Sequence, residues 1–186
     1  MSQSQKLSRT DWIKAAFRAL SEGGSGAIRA EAIARDLKVS KGSFYWHFKD
    51  VPDLKATMLS HWRDQATGQI IEAVDAHSSD PAERLRFLVK IAAGDASEPY
   101  GGPVVEPVIR EWSRSDTNAA RTLKQVDGWR LDYLFGLFSQ LYAGETEARQ
   151  KARLLYAGLI GLELLVFQDK ADLENDLPAL LDELLP

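Results

Sequence analysis

Apolar residues recur along most of this 186-residue chain at intervals of three and four, the spacing that places them on one face of a helix. Ile13, Ala16, Phe17 and Leu20 follow this rule, with Ser8 as N-cap, Asp11 three residues on as in a capping box, and Gly23-Gly24 as the stop. A short helix from about Ala30 to Leu37 can turn Ala32, Ile33 and Leu37 inward. Ser40 then suits the cap of another, Lys41 to His47, anchored by Phe44 and Phe48. Pro52 fits the first turn of a fourth helix, with Asp50 or Val51 near its cap and Leu54, Met58, Trp62, Ile70 and Val74 along its inner face to about Ala76. Asp80-Pro81 opens a fifth. The turn formers from Ser97 to Pro103 predict the main interior loop. Beyond them, helices are expected at about Val104–Ser113, Asn118–Tyr142, Glu145–Asp169 and Leu173–Leu185, with a hinge near Gly144. Strand alternation is nearly absent, so the pattern predicts an all-α protein.

Charge changes this picture by dividing the chain. The whole carries a net charge of −4, yet residues 1–50 hold nine basic and five acidic side chains against fourteen and twenty-two in the remainder. A basic head on an acidic body suits a head that meets phosphates. The chain has no cysteine, which removes disulfides and thiolate metal sites and fits a reducing cytoplasm. Met1 to Arg9 is polar, without the apolar core of a secretory signal. The longest apolar stretch, Leu154 to Phe167, is interrupted by Gly158, Gly161 and Glu163 and is too short to span a bilayer. No membrane association is therefore expected.

Two short helices joined by a three- or four-residue turn make a helix-turn-helix, here at about residues 30–49, whose second helix is narrow enough to enter the major groove. Ala34 is small where the helices cross. Ile33, Leu37, Val39 and Phe44 can form the core between them, and Gly42 and Ser43 leave the start of the second helix uncrowded. The run Ile-Ala-Arg-Asp-Leu-Lys-Val-Ser-Lys-Gly-Ser-Phe-Tyr-Trp-His-Phe at residues 33–48, followed by Lys49 and Asp53-Leu54, resembles the signature of the TetR/AcrR family of transcriptional regulators. The resemblance covers about residues 8–60. It implies an N-terminal three-helix DNA-binding domain, residues 1–50, followed by a helical ligand-binding and dimerisation domain, residues 51–186. It further implies that Lys41, Ser43 and Trp46 face base edges or adjacent phosphates, and that Tyr45, His47 and Lys49 hold the DNA backbone. Arg29, ahead of the first short helix, is well placed for a phosphate or a base. Trp46 serves equally as a surface contact or as partial packing.

Two positions depart from the family pattern. Arg29 stands where Ser or Thr is common, so a side-chain cap is lost. Lys38 fills a turn position that favours Gly, because positive φ is cheap only there.

The resemblance also implies a dimeric repressor that leaves a palindromic operator when a small molecule binds. The expected seam is the 145–169 helix and a neighbour, where Leu154, Leu155, Ala157, Gly158, Gly161, Leu162, Leu165 and Val166 form an apolar surface; the same residues fit the core of one chain. The inducer itself is not legible. Trp62, Phe87, Trp112, Trp129, Tyr133 and Tyr156 are the aromatics placed to line its cavity, with Arg110, Glu111 or Arg130 as polar anchor and Tyr100–Pro103 as a gate. Each aromatic also fits plain core.

Enzyme chemistry finds little footing. There is no phosphate-cradling glycine loop and no nucleophile elbow. The three histidines, His47, His61 and His77, form no metal-ligand pair at helical spacing. Neither a cofactor nor a metal is expected. A helical carrier of small molecules would share the body but has no use for the basic head.

Overall fold

The structure is a computed structural model and describes residues 7–94, 100–166 and 170–186. Its regular elements are helices: α1 (Arg9–Gly23), α2 (Ala30–Asp36), α3 (Lys41–Phe44), α4 (Val51–Arg63), α5 (Gln69–His77), α6 (Pro81–Ala93), α7 (Val105–Trp112), α8 (Thr117–Leu141), α9 (Glu145–Val166) and α10 (Leu173–Leu184). Ser97–Pro99 of the expected loop and the last three residues of the expected 145–169 helix lie outside the described residues. The predicted fourth helix is two helices, because a π turn at Asp64–Gly68 separates α4 from α5. Among the described residues no helix is long and apolar enough to cross a membrane.

The helix ends follow local chemistry closely. Ser8 and Asp11 form the reciprocal capping box: the Asp11 N–H donates to Ser8 Oγ at 3.2 Å, and the Ser8 N–H donates to Asp11 Oδ2 at 2.8 Å. That bonding, led by the Ser8 hydroxyl, holds the Asp11 carboxyl below its ordinary range. Asp50 caps α4 by accepting from the Asp53 N–H at 2.8 Å, and Asp80 caps α6 by accepting from the Glu83 N–H at 2.8 Å.

The chain forms two compact units. One comprises the described residues within 1–61 and 96–122; the other comprises those within 62–95 and 123–186. The sequence expectation of a boundary at residue 50 therefore differs from the compact units in two ways. The first part of α4 packs on α1, where Arg9 Nη2 donates to Thr57 Oγ1 at 3.0 Å and the Phe17 and His61 rings lie 6.2 Å apart. The segment around Tyr100 also returns to α1. The Tyr100 ring meets Phe17 edge-on at 5.9 Å, and Ser21 Oγ lies 3.0 Å from the Gly101 carbonyl. Gly101 has φ 92°, and a Cβ there would stand 2.8 Å from Val105 Cγ2 and 3.0 Å from the Phe17 carbonyl, so only glycine fits. These contacts join residues eighty apart, a distance that local patterning cannot see.

The second unit has its own core. Leu85, Val89 and Ala93 of α6 meet Leu134, Leu137 and Phe138 of α8, with Ala148, Ala152, Leu155 and Tyr156 of α9 and Leu177, Leu181 and Leu184 of α10. Leu155 thus belongs to the core, as the one-chain reading of its stripe had it. Gly158 also serves this unit, since a Cβ there would meet Leu180 Cδ2 at 2.2 Å. Its smallness lets α10 approach α9.

Candidate nucleic-acid interface

The first unit presents α2 and α3 as a helix-turn-helix. Phe44 and Phe48 are sealed from solvent, 0% and 2% exposed, with ring centroids 5.6 Å apart. Trp12 of α1 meets Phe44 edge-on, also at 5.6 Å. Ile33 and Ala34 of α2 are buried with them. The turn closes as a Schellman motif: the Val39 N–H donates to the Ala34 carbonyl at 2.9 Å and the Lys38 N–H to the Arg35 carbonyl at 3.1 Å. Lys38 is left-handed, φ 56°, and is the one non-glycine residue with positive φ among the described residues. An L-residue in that conformation is strained by about 1–2 kcal/mol. Lys38→Gly should therefore raise stability by about 1 kcal/mol, part of the relief being offset by the greater freedom of unfolded glycine. A thermal melt checks it; an unchanged or lower midpoint would show that the turn holds no strain.

Two cap expectations are settled here. Arg29 stands at the N-cap of α2 with no side-chain cap bond, as its chemistry requires. Ser40 occupies the N-cap of α3, but its hydroxyl lies 3.2 Å from the Ser43 hydroxyl and bonds no backbone N–H. The expected helix Lys41–His47 is regular only to Phe44; Tyr45 to His47 continue as turns, with the Phe48 N–H donating to the Phe44 carbonyl at 3.0 Å. Gly42 and three successive aromatics are poor helix formers. Burial of Phe44 and Phe48, more than helix propensity, holds this segment.

With its alternate aromatics buried, the segment turns the others outward. Trp46 is 89% exposed and Tyr45 57% exposed, which excludes partial packing for Trp46 in this unit. Tyr45 stands edge-on to Phe44 at 5.2 Å, so the core braces it. Arg29, Lys41, Gly42 and Lys49 are exposed, while Ser43 and His47 are half-buried. The His47 ring lies 6.0 Å from that of Trp12. Sequence spacing gave no reason to single out Glu31. Its carboxylate accepts from the Lys41 ammonium, a contact ten residues long that local pattern hides. The hydrogen bond from Lys41 holds the Glu31 carboxyl below its usual range, and the same bond raises the Lys41 ammonium.

Residues 13–51 match the family model described as bacterial regulatory proteins, tetR family. The chain carries a tetR-family head. The tetR-family likeness of fold extends over the whole chain. A tetR transcriptional regulator from Legionella pneumophila superposes with a TM-score of 0.80 at 14% identity, covering 100% of this chain and 99% of its own. A transcriptional regulator from Rhodococcus superposes at 0.78 with 20% identity and 96% coverage of both chains. A fatty acid degradation regulator from Bacillus halodurans does so at 0.72 with 20% identity, covering 95% of this chain and 97% of its own. No curated protein matches the sequence. Under this tetR-family fold, the head is a DNA-binding helix-turn-helix of a transcriptional regulator.

The aromatics expected around an inducer fall in both units. Trp112 is buried in the first unit with the Lys55 ammonium 5.4 Å from its ring centroid. In the second unit Phe87 stacks on His77 at 3.9 Å. Tyr133 donates to Asp75 at 2.7 Å, and burial and that bond push its phenol above the ordinary range. Trp129 is 48% exposed on α8. Trp62 and Tyr156 are buried and share a polar centre. Arg130 lies over both rings at 6.0 and 5.9 Å, donates to Tyr156 Oη at 3.3 Å and donates to the Ala66 carbonyl at 3.0 Å. Tyr156 Oη in turn donates to Asp127 at 2.6 Å. Of the three expected polar anchors, Arg130 takes this place. Arg110 pairs with Glu106 at 2.8 Å, and Glu111 is an exposed partner of Arg114 at 3.3 Å.

Proposed function

We propose that this protein is a dimeric repressor of transcription in the cytoplasm, held on a palindromic operator by Arg29, Lys41, Ser43, Tyr45, Trp46, His47 and Lys49, and released from it by a small molecule. The observation that carries the reading is the outward pair Tyr45 and Trp46 on a buried aromatic anchor, flanked by exposed cations. Together these neighbouring rings, 57% and 89% exposed, make an aromatic surface that suits a partner. Gly42 supports close approach, since its backbone stands in the open and a Cβ there would meet only the Ser40 hydroxyl, at 3.7 Å.

Dimerisation is supported by α9. Leu154, Leu164 and Leu165 are 48%, 52% and 40% exposed, Ala157 is exposed, and Gly161 has nothing within 4 Å of where its Cβ would be. Large apolar side chains around small residues make a surface that a second helix can approach closely. The partner is a second copy, because two heads about 34–36 Å apart read successive turns of one DNA face. Leu154→Glu/Leu165→Glu should leave the fold intact and yield a monomer in sedimentation; a dimer that persists at micromolar protein would remove α9 from the seam. The proposed inducer site narrows to Trp62, Tyr156 and Arg130, whose rings and guanidinium suit a ligand with an apolar body and one polar end.

The test of the whole reading is selection of duplexes from a random library by the protein. An inverted repeat should emerge. Its affinity should fall with salt on a log–log plot by about 0.9 per phosphate neutralised. Absence of specific binding at low salt overturns the proposal.

A further inference from the structure

The exposed cations of the head are not equivalent. Arg29, Arg35, Lys38 and Lys49 hold no ion pair among the described residues. Arg18 is bonded to Asp36 at 2.7 Å, and Lys41 to Glu31. Both of these carboxylates belong to α2, but only Lys41 lies on the segment that bears the outward aromatics. The reading lysine is thus tied to the preceding helix rather than extended into solvent.

We infer that Glu31 is a specificity-determining residue that acts through Lys41, keeping this lysine from random DNA and yielding it only at the cognate site. This rests on the head's DNA-binding role proposed above. The physics is one of competition. Half of the Lys41 side chain and about two-thirds of the Glu31 side chain are exposed, at 50% and 65%, so the pair is weak and opens readily. On random DNA the only reward for opening it is a phosphate, and the Glu31 carboxylate left behind repels the same backbone. At the cognate site a base edge, registered by Tyr45, Trp46 and Lys49, offers a directional partner as well. Lys41 then joins the contacts of specific binding but is withheld from non-specific binding. Because non-specific affinity is almost wholly counterion release, withholding one cation lowers it selectively.

The full-length protein tests this with two duplexes: the sequence enriched by selection and a scrambled duplex of equal length. For Glu31→Gln, the salt slope on scrambled DNA should steepen by about 0.9, one further phosphate neutralised, while the slope on the enriched duplex stays at the wild-type value. Affinity for scrambled DNA should rise about three- to tenfold at 0.1 M salt, and the ratio of specific to non-specific affinity should fall. In a Lys41→Ala background, Glu31→Gln should steepen the slope on scrambled DNA by clearly less than it does with Lys41 present, since only the repulsion of the carboxylate is then relieved. Glu31→Ala serves as a second variant and should give the same slopes as Glu31→Gln. A merely structural role would move the melting temperature and leave the slopes alone. If the wild type binds both duplexes but Glu31→Gln does not steepen the slope on scrambled DNA, or steepens it equally without Lys41, the inference is overturned and the DNA-binding role stands. If the wild type binds no duplex, both fall together.

Discussion

Phe44→Ala should cost the head about 3–5 kcal/mol, the usual penalty for deleting a fully buried phenyl ring. Phe44 is 0% exposed and touches three other rings: Trp12 at 5.6 Å, Tyr45 at 5.2 Å and Phe48 at 5.6 Å. α3 is a four-residue helix whose N-cap hydroxyl makes no backbone bond, so it has little stability of its own. With total stabilities commonly about 5–15 kcal/mol, a loss of this size removes a large share of the total and makes α3 and its following turns the first part to open. Near-ultraviolet circular dichroism should lose the signal of Trp12, which Phe44 holds rigid, and hydrogen exchange across residues 39–49 should become fast. DNA binding should disappear with them. Phe44→Leu, which keeps most of the buried volume, should recover much of the stability. If Phe44→Ala melts within a degree or two of the wild type, the aromatic anchor is not what holds the reading segment.

The second large effect is the opposite in kind. Trp46→Ala should leave stability unchanged and weaken binding to the selected duplex by about 30-fold or more, the scale of an interfacial hot spot of about 2 kcal/mol. The two halves of this expectation have one source. A side chain 89% exposed has almost no contact to lose in the free protein, so any cost must arise in a complex. Tyr45→Ala should add to it, with a small stability cost because Tyr45 leans on Phe44. Binding titrations at fixed salt, paired with melts, separate the terms. Equal affinity for wild type and Trp46→Ala would remove this tryptophan from the interface, and a matching drop in melting temperature would make it a packing residue after all.

These two neighbouring aromatics show where sequence is informative. Phe44 and Phe48 stand four apart and Tyr45 and Trp46 lie between them, so one helical turn buries the first pair and exposes the second. That partition was legible from spacing alone for Phe44 and Phe48. For Trp46 it was undecided, because a large aromatic satisfies either surface, and only the path of the turns after Phe44 resolved it. Lys38 and Arg29 were legible for a different reason. Caps and positive-φ turns are governed by residues within a few positions, and the chemistry of those residues is written locally.

The inducer aromatics illustrate the reverse. Of the six named around an inducer, Trp112 belongs to the first compact unit and Trp62, Phe87, Trp129, Tyr133 and Tyr156 to the second. Helical period says that a ring faces inward but not which interior it enters. Leu155 and Gly158 fitted either the seam or the core of one chain for the same reason; one is core and the other admits α10.

By itself, then, the sequence determined most of the helices, the caps at Ser8, Asp50 and Asp80, the strained lysine in the turn and the buried pair that anchors the segment after Ser40. Each of these depends on neighbours within about a turn of chain. The tertiary structure alone decided that Tyr100 and α7 belong with the head, that Trp46 stands free, that Lys41 is tied to Glu31 and that Arg130 joins Trp62 to Tyr156. Those pairings join residues on different elements, up to eighty or more positions apart. They are set by which helix faces meet, and no periodicity along the chain carries that information.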